Sequence, residues 1–244
     1  MKLKVMTFNI QHGRNHNLSG DIIDLQLMTD VVKSCDPDIL SLNEVRKGIP
    51  PCENENYPDE PAFFENALGG NSFFGEAIEF GKGCLYGNAV WSKFGFANAQ
   101  KYMIPDVPKD ERESGVYYET RCILRTDYVI EGKSLTVLSS HFGLASGEQE
   151  NAVDTVLSIV ETIDNPIILM GDFNITPDDY NISRLSTVFT DVHGYFGKAD
   201  YTFSSDKPEM KIDYIFTKGL KILDACTVEV IASDHFPIVA EVEL

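Results

Sequence analysis

The sequence is poor in positive charge and lacks any long apolar run. Its 20 Lys and Arg stand against 38 Asp and Glu, a formal net charge of −18 over 244 residues. Such a surface repels polyanions at long range, which disfavours non-specific binding to nucleic acid. Acidity that only aids solubility is an equally good interpretation. No apolar run approaches membrane-spanning length, and we expect no integral membrane contact.

The five cysteines lie far apart, and no two form a Cys-x-x-Cys pair. This spacing argues against a zinc site and against a disulfide scaffold, and it is typical of a reducing cytosol. The segment from Met1 to Val5 leads directly into a strand-like pattern, with no sign of a secretory signal. The sequence therefore predicts a cytoplasmic protein, and we expect a monomer.

Hydrophobic periodicity predicts many strands and two long helices. The helices are predicted over residues 21–35, with Ser19 or Asp21 as the cap, and over residues 148–163. Strands are predicted over residues 2–10, 38–42, 88–92, 121–129, 134–140, 166–170, 211–217, 220–230 and 238–242. No linker or repeat divides them, which predicts a single domain over residues 1–244. Two packed sheets, each covered by helices, is the α/β architecture that accommodates these elements.

Six short polar segments, each at the end of an apolar stretch, carry the candidate chemistry. They are Thr7-Phe8-Asn9, Asn43-Glu44, Ser140-His141, Gly171-Asp172-Phe173-Asn174, Ile212-Asp213-Tyr214 and Ser233-Asp234-His235. Because strand ends on one side of a sheet gather distant residues, we expect these segments to meet in one site. Their carboxylates, amides and two histidines, without cysteine, suit a hard-cation phosphoesterase better than a zinc hydrolase.

Asn9, Glu44 and Asp234 are the candidate metal-site residues. Mg²⁺ takes oxygen ligands and keeps several waters, so one or two carboxylates suffice. Glu44 follows the strand over residues 38–42, and Asn9 can hold either Glu44 or a metal-bound water. Taken alone, Glu44 is better explained as a surface acid at a strand end. We expect Mg²⁺, with Mn²⁺ as the alternative.

The segment Gly171-Asp172-Phe173-Asn174 is more specific. Two short polar side chains follow a run of five apolar residues, where they can orient an attacking water or stabilise a transition-state oxygen. Asp and Asn also start turns, which is the structural alternative. The apolar Phe173 between the two polar residues favours a functional role.

An acid–histidine pair is predicted from Asp213 and His235. Asp213 lies between Ile212 and Tyr214, and a buried acid needs a partner because desolvation destabilises its charge. His235 is the natural partner, and such a pair makes the histidine a stronger base. His141 ends another apolar strand, where it can contact a phosphate.

In their order and spacing, these segments resemble the signature of the endonuclease/exonuclease/phosphatase superfamily. That superfamily includes deoxyribonucleases, inositol-polyphosphate 5-phosphatases and neutral sphingomyelinases. The resemblance extends from Thr7 to His235. It implies a four-layer α/β sandwich, in which helices flank two packed, mostly antiparallel sheets. It also implies hydrolysis of a phosphoester by in-line attack of water.

The resemblance further implies roles for individual residues. Asn9 and Glu44 resemble the metal-site residues of the family. Asp172 and Asn174 resemble the pair that orients the attacking water and stabilises the pentavalent phosphorane.

The histidines and their acids are assigned in the same way. Asp213 and His235 resemble the acid–imidazole pair, and Asp234 the acid next to that histidine. His141 resembles the second histidine of the deoxyribonuclease and phosphatase branches. Glu119, in the segment Tyr-Glu-Thr-Arg, resembles the acid that orients this histidine in the deoxyribonuclease branch.

Two positions depart from the family pattern. Gln11 stands where the apurinic-endonuclease branch has an acid, and Asn43 precedes Glu44 where Gln is usual, which argues against a second metal position and against a repair endonuclease.

Two features favour a small or lipid-derived phosphoester over DNA. No run of Lys and Arg interleaved with aromatic residues is present to follow a nucleic-acid strand. The acidic loop over residues 50–61 should border the site and repel a long polyanion. The basic residues that can meet a substrate phosphate are His12, Arg14 and His16.

Two alternatives stay open. One is an endonuclease or exonuclease that acts on DNA or RNA. The other is a catalytically silent binding module on the same fold, although such a module need not keep both histidines and the Asp-x-Asn pair.

Overall fold

The structure, a computed structural model, describes residues 1–197 and 201–244 and contains two sheets and five α-helices in that range. The strands are β1 (Lys2–Asn9), β2 (Ile39–Gly48), β3 (Asn71–Glu79), β4 (Cys84–Ser92), β5 (Asn98–Met103), β6 (Cys122–Ile130), β7 (Lys133–His141), β8 (Ile167–Asp172), β9 (Thr190–Asp191), β10 (Asp213–Lys218), β11 (Lys221–Thr227) and β12 (Ile238–Glu243). The helices are α1 (Leu25–Cys35), α2 (Glu60–Leu68), α3 (Ser146–Val160), α4 (Tyr180–Leu185) and α5 (Val192–Tyr195).

Each sheet has six strands, in the orders β11-β12-β1-β2-β4-β3 and β5-β6-β7-β8-β10-β9. The pairs β1–β2 and β7–β8 are parallel, and the other pairs in these sheets are antiparallel. Helices flank both sheets. The predicted four-layer α/β sandwich with mostly antiparallel sheets is therefore confirmed.

Three apolar clusters separate the four layers. Along β1, Leu3 and Val5 face the second sheet, whereas Met6 and Phe8 belong to the cluster that packs against α1. Successive strand residues point to opposite faces, so a strand covered on both sides must be apolar throughout. Strand β8 follows the same rule between the inter-sheet core and α3. This double burial explains why the central strands are continuous apolar runs that end abruptly in polar residues.

Helix α1 begins later than predicted, and its cap is Asp24 rather than Ser19 or Asp21. The Asp24 carboxylate accepts a hydrogen bond from the Leu27 N–H at 3.0 Å. The preceding Ile23 forms a β-bridge to the loop after β1. That pairing keeps the earlier segment extended, so the helix starts only when the bridge ends.

A disulfide joins Cys52 and Cys84, whose Cα atoms are 5.3 Å apart. The expectation from cysteine spacing was wrong at this point. Cys84 begins β4 opposite Gly48, and the loop after β2 returns Cys52 to that edge. A persistent disulfide is typical of oxidising compartments, so cysteine usage no longer supports the cytosol.

None of the described helices has the length and hydropathy needed to cross a bilayer.

Candidate active site

A cavity of about 560 Å³ opens at the edge where the strand ends of both sheets meet. It is lined by Glu44, Tyr86, Tyr117, Glu119, Arg121, His141, Leu144, Asp172, Asn174, Thr176, Phe203, Met210, Ile212, Asp234 and His235. Five of the six polar segments supply lining residues, and the sixth supplies Asn9, which is fully buried and contacts two of the lining carboxylates. The predicted convergence of the strand ends therefore occurs.

Strand register explains how the second sheet builds its share of the cavity. Asp172, at the end of β8, is paired with His141 on β7 and with Asp213 on β10. Residues opposite each other on neighbouring strands present their side chains to the same face. Gly171 has φ of 147°, and a Cβ there would clash with the carbonyl of Ser140. Glycine is required at that position for β7 and β8 to approach this closely.

Asp172 is the centre of the site. Its Oδ2 accepts a hydrogen bond from Asn9 Nδ2 at 2.9 Å, and its Oδ1 accepts the Asn174 N–H at 3.0 Å. The same Oδ2 lies 3.4 Å from Nε2 of His141 and 3.6 Å from Nε2 of His235. Burial raises the pKa of Asp172 to about 7, even though the neighbouring His235 acts in the opposite direction. Burial therefore makes this carboxyl group a stronger base than an exposed aspartate.

Asn43 connects the Asp172 backbone to the first sheet. Its Oδ1 accepts the Asp172 N–H at 3.0 Å, and its Nδ2 donates to Asn88 Oδ1 and to the Ser140 carbonyl. All of these groups are buried. Asn43, one of the residues that depart from the family pattern, thus connects the two sheets through its hydrogen bonds.

His235 and Asp213 form the predicted pair. His235 Nδ1 lies 2.8 Å from Asp213 Oδ2, and the two residues are 4% and 1% exposed. Burial opposes a charge on the imidazole, but the carboxylates of Asp213 and Asp172 outweigh it and raise the pKa of His235 to about 10. The Oγ1 of Thr202 accepts the backbone N–H of Asp213 at 3.2 Å and fixes the start of β10. His235 is therefore held as an imidazolium between two carboxylates.

The contact of Arg121 with His141 corrects the prediction for Glu119. Arg121 Nη1 lies 3.0 Å from Nδ1 of His141, and the same nitrogen lies 2.7 Å from Oε1 of Glu119. The guanidinium thus stands between the acid and the ring. Burial, then Arg121 and His235, hold the pKa of His141 well below its usual value. Arg121 was missed because only its neighbour matched the family pattern, although a charged residue directly before an apolar strand was the available signal.

Glu44 lies in a β-bulge of β2 rather than at a strand end. The register with β4 shifts between Leu42 and Val45, and Glu44 has φ of 58°. Bulges redirect a side chain and recur beside functional sites. Asn9 Nδ2 donates to Oε1 of Glu44 at 3.1 Å, as well as to Asp172. The bulge therefore turns an acid of the first sheet towards the carboxylate of the second.

The other predicted metal-site residues, Asn9 and Asp234, also lie beside this cavity. The Asn9 Oδ1 accepts the Gln11 N–H at 3.0 Å, which directs its Nδ2 towards the acids, so Asn9 supports Glu44 in this conformation. Gln11 Nε2 donates to Oδ2 of Asp234 at 2.7 Å. Gln11 Oε1 is buried with no hydrogen-bond partner among the described residues. The carboxylates of Glu44 and Asp234, together with this unpartnered oxygen, are donors that suit a hard cation.

A second group of possible metal ligands is buried deeper. Asp172, Asp213 and His235 each offer one atom, and these atoms lie within 4.8 Å of one another. Asp213 and His235, however, already hydrogen-bond directly to each other. Asp172 already accepts hydrogen bonds from Asn9 and Asn174. Glu44 and Asp234 also line the cavity and belong to neither of these pairings, which makes them the better candidates for the ion.

Two expectations about the border of the site stay predictions, because the residues concerned are not part of the described lining. Strand β2 continues for the residues Val45 to Gly48 after the bulge, and none of residues 50–61 lines the cavity. His12 and His16 instead face Asp21 and Asp206 and are absent from the described lining. Arg14, the third basic candidate, is held in the loop after β1, where its Nε donates to the Gly20 carbonyl.

A family model and several solved structures match this chain. A family model described as the Endonuclease/Exonuclease/phosphatase family matches residues 6–235. No curated protein matches the sequence significantly. Among solved structures, an endonuclease/exonuclease/phosphatase from Beutenbergia cavernae is 24% identical, with a TM-score of 0.79 over 100% of this chain and 72% of that chain.

Two further solved structures share the fold at lower identity. A mannosyl-6-phosphatase from Bacteroides thetaiotaomicron is 16% identical, with a TM-score of 0.77 over 99% of this chain and 100% of that chain. The catalytic domain of human Nocturnin with a bound sulfate anion is also 16% identical, with a TM-score of 0.69 over 99% of this chain and 93% of that chain. At this identity the likeness concerns the fold alone.

Proposed function

This chain belongs to the endonuclease/exonuclease/phosphatase family, whose members are divalent-metal-dependent phosphoesterases, and we propose that it hydrolyses a phosphoester by in-line attack of water. The observation that carries the proposal is the position of Asn9. Its side chain donates to Glu44 at 3.1 Å and to Asp172 at 2.9 Å. One amide therefore connects the carboxylate proposed to bind the metal, on the first sheet, to the carboxylate proposed as the base, on the second.

We assign the divalent cation to Glu44 and Asp234, with Mg²⁺ as the expected ion and Mn²⁺ as the alternative. Both carboxylates line the cavity, and the unpartnered Gln11 Oε1 lies beside Asp234. When bound, such an ion neutralises charge on the phosphate and on the leaving group. Glu44 is oriented for this task by Asn9 and by the bulge in β2.

Asp172 is the proposed general base. An efficient base has a pKa near the operating pH, and the pKa of Asp172 is about 7, whereas that of His235 is about 10. His235 is therefore protonated at neutral pH, and its Nε2–H faces the Asp172 carboxylate and the cavity. Asp172 takes the proton of the attacking water, while His235 orients that carboxylate and stabilises its charged form.

Asn174 and His141 are the proposed donors to the phosphoryl oxygens. Asn174 Nδ2 lies 3.1 Å from His141 Nε2, so the two side chains face the same point of the cavity. Preorganised donors lower the barrier because negative charge grows on these oxygens in the transition state. Asn174 has φ of 52°, a left-handed conformation, and its Nδ2 also donates to the Phe142 carbonyl at 3.1 Å, which fixes the position of the amide.

The lining of the cavity supports a small or lipid-derived substrate. Among the described lining residues, Arg121 is the only Lys or Arg, and it is already paired with Glu119. A nucleic-acid strand needs several such cations along its backbone. The exposed apolar side chains at the mouth are instead Tyr117, Leu144 and Met210. The likeness in fold to a mannosyl-6-phosphatase agrees with a small phosphorylated substrate.

A substrate and metal screen tests the proposal. The purified protein is stripped with a chelator, and release of p-nitrophenol from bis-p-nitrophenyl phosphate and from p-nitrophenyl phosphate is measured with and without Mg²⁺ or Mn²⁺. We expect metal-dependent turnover, and a Glu44→Gln variant should need a higher metal concentration for half-maximal rate. A protein that stays inactive with every metal would be a binding module, and the proposal would then be wrong.

A second arm of the screen decides the substrate class. Single-stranded and double-stranded oligonucleotides are compared with phosphorylated sugars and phosphorylated lipid headgroups at equal concentration. We expect kcat/KM to be higher for one of the small or lipid-derived substrates. A clear preference for oligonucleotides would favour the nuclease alternative and would overturn the substrate assignment while leaving the hydrolase assignment intact.

A further inference from the structure

Arg121 occupies an unusual position beside His141. It is 8% exposed and lies just before β6, and its Nη1 is 3.0 Å from Nδ1 of His141. The same Nη1 is 2.7 Å from Oε1 of Glu119, which is itself held because Tyr117 donates to its Oε2 at 2.6 Å. A buried ring is thus contacted by a cation, and the acid that would ordinarily pair with it lies on the far side of that cation.

The donor capacity of each group fixes where the proton of His141 lies. A guanidinium has five N–H donors and no acceptor, so Nδ1 of His141 must be the acceptor of this contact. A neutral imidazole with an accepting Nδ1 carries its hydrogen on Nε2. Nε2 lies 3.4 Å from Oδ2 of Asp172, an acceptor for that hydrogen, and it faces the cavity. Nδ2 of Asn174, itself a donor, lies 3.1 Å from Nε2, but it also donates to the Phe142 carbonyl at 3.1 Å, so in this tautomer its contact with the ring is not a hydrogen bond. A histidine paired with an acid through Nδ1 shows the opposite polarity at that nitrogen, because there Nδ1 donates.

We propose that Arg121 is a positioning residue that holds His141 as an uncharged hydrogen-bond donor, with its proton on Nε2 and directed at the phosphoryl group. The inference rests on the proposed function and adds to it the role of His141. His141 then stabilises the growing charge on a phosphoryl oxygen but has no second proton to give to the leaving group. Glu119 acts through Arg121 and does not touch the ring.

The surroundings of His141 are consistent with this arrangement. The ring is 4% exposed, and both its burial and the adjacent guanidinium disfavour an imidazolium. His235, on the other side of Asp172, is the histidine with the carboxylate partner at Nδ1. The two rings therefore present the same nitrogen, Nε2, to one carboxylate while their Nδ1 atoms make contacts of opposite polarity.

Nitrogen NMR of the protein tests the tautomer without any assay of activity. The five histidines are labelled with ¹⁵N, and the His141 signals are assigned as those lost in His141→Gln. At neutral pH we expect Nδ1 of His141 to have the chemical shift of an unprotonated nitrogen and Nε2 that of a protonated one. In Arg121→Met this pattern should give way to a mixture of tautomers. A wild-type ring protonated on Nδ1 would overturn the inference even if the enzyme is active.

A double-mutant cycle tests whether Arg121 acts through His141. Loss of a transition-state donor costs about 10²- to 10³-fold in kcat, and we expect this range for His141→Ala. We expect Arg121→Met to lower kcat by about 10- to 100-fold with KM nearly unchanged, since the donor remains but is no longer aligned. The double variant should be no slower than His141→Ala alone.

The contrary outcome is equally clear. If Arg121 binds the substrate phosphate itself, Arg121→Met raises KM and its effect multiplies with that of His141→Ala, which would overturn the inference. Arg121→Lys keeps the charge and a donor, should recover part of the lost kcat, and serves if the Met variant folds poorly. Arg125→Met is the matched control, because Arg125 lies on β6, the strand that follows Arg121, pairs with Asp127 and does not line the cavity. Its kcat should equal that of the wild type.

Discussion

The two sides of the cavity each hold one buried histidine, and the comparison between them explains the site. His141 and His235 are each 4% exposed, and their Nε2 atoms lie 3.4 Å and 3.6 Å from the same oxygen of Asp172. The partner at Nδ1 is Arg121 for one ring and Asp213 for the other, and Nε2 of His141 also lies 3.1 Å from Asn174 Nδ2. Burial, then the adjacent guanidinium, lower the pKa of the first histidine, whereas the carboxylates of Asp213 and Asp172 outweigh burial and raise that of the second. Equal burial therefore does not decide protonation, and the neighbouring charges do.

The largest expected effect comes from removing the carboxylate that both rings face. Asp172→Ala should lower kcat by about 10³-fold or more, because the proposed base and the carboxylate that both histidines face are the same group and are lost together. The fold should persist, since the register of β7, β8 and β10 depends on backbone pairing. Steady-state kinetics and a thermal melt check this. A variant that keeps turnover would remove Asp172 from the mechanism.

Removing Asp213 should erase the difference between the two histidines. In Asp213→Asn, Nδ1 of His235 keeps a hydrogen-bond acceptor but loses the charge beside it, so the pKa of His235 should fall towards its usual value. We expect kcat to fall by about 10²- to 10⁴-fold, as when the oriented acid of a catalytic histidine is neutralised. NMR titration of His235 and kinetics at neutral pH measure both effects.

Asp224→Asn is the control for this comparison, because Asp224 is an acid of β11 outside the cavity. That variant should leave both the titration of His235 and the rate unchanged. If Asp213→Asn left the pKa of His235 where it is in the wild type, the contrast between the two sides would have another cause than the paired acid.

Sequence reasoning named both histidines, but it anticipated the partner of His235 and missed Arg121 as the partner of His141, for a physical reason. An acid inside an apolar strand, such as Asp213, must find a partner, and burial can be read from its neighbours in the sequence. Glu119 and Arg121 are two residues apart, directly before a strand, and which of them reaches the ring depends on where the strand begins. That point is set by the pairing of β6 with β5 and β7.

The fold itself was more predictable than the details of its first sheet. Continuous apolar runs indicated the central strands, and the polar residues that follow them indicated the shared edge. The bulge at Glu44 and the Cys52–Cys84 disulfide depend instead on how β2 and β4 pair over a distance in sequence. Local pattern carries no information about either. The single domain over residues 1–244 and the monomeric state stay predictions.

The raised pKa of His235 should also make the free energy of unfolding depend on pH. The pKa of His235 is about 10 in the folded protein against an ordinary 6.5, so the native state keeps a proton that the unfolded chain releases between these values. The stabilisation is complete below pH 6.5 and is lost as the pH rises through 10. The free energy of unfolding of the metal-free protein should therefore fall by up to about 1.4 kcal/mol per pH unit across this window.

Urea denaturation at several pH values between 7.5 and 10 measures this slope. Asp213→Asn is the comparison variant, because it removes the first of the two carboxylates that raise the pKa of His235. Its slope should be shallower, while repulsion among the 37 acidic residues that the two proteins share, of the 38 in the wild type, affects both alike. Equal slopes would show that His235 does not carry the effect.

The smallest expected effect concerns the mouth of the cavity and asks on which side the leaving group lies. Tyr117 and Leu144 are 58% and 55% exposed, and Tyr117 donates to Glu119 beside the Arg121 contact. Phe203 stands on the other side, with its ring centroid 4.8 Å from that of His235. Covering exposed apolar surface stabilises a complex by about 25 cal/mol per Å², so an apolar leaving group gains most beside Tyr117 and Leu144.

Leu144→Ala should therefore raise KM for an aryl phosphodiester by about 3- to 10-fold, which corresponds to a loss of about 1 kcal/mol of binding, and should leave kcat unchanged. Met210→Ala, a change of similar size at a side chain that is 41% exposed, is the matched variant. A larger rise in KM for Met210→Ala than for Leu144→Ala would assign the leaving group elsewhere along the mouth. The leaving group would then lie away from His141. The lack of a transferable proton on His141 would no longer limit which leaving groups the enzyme accepts.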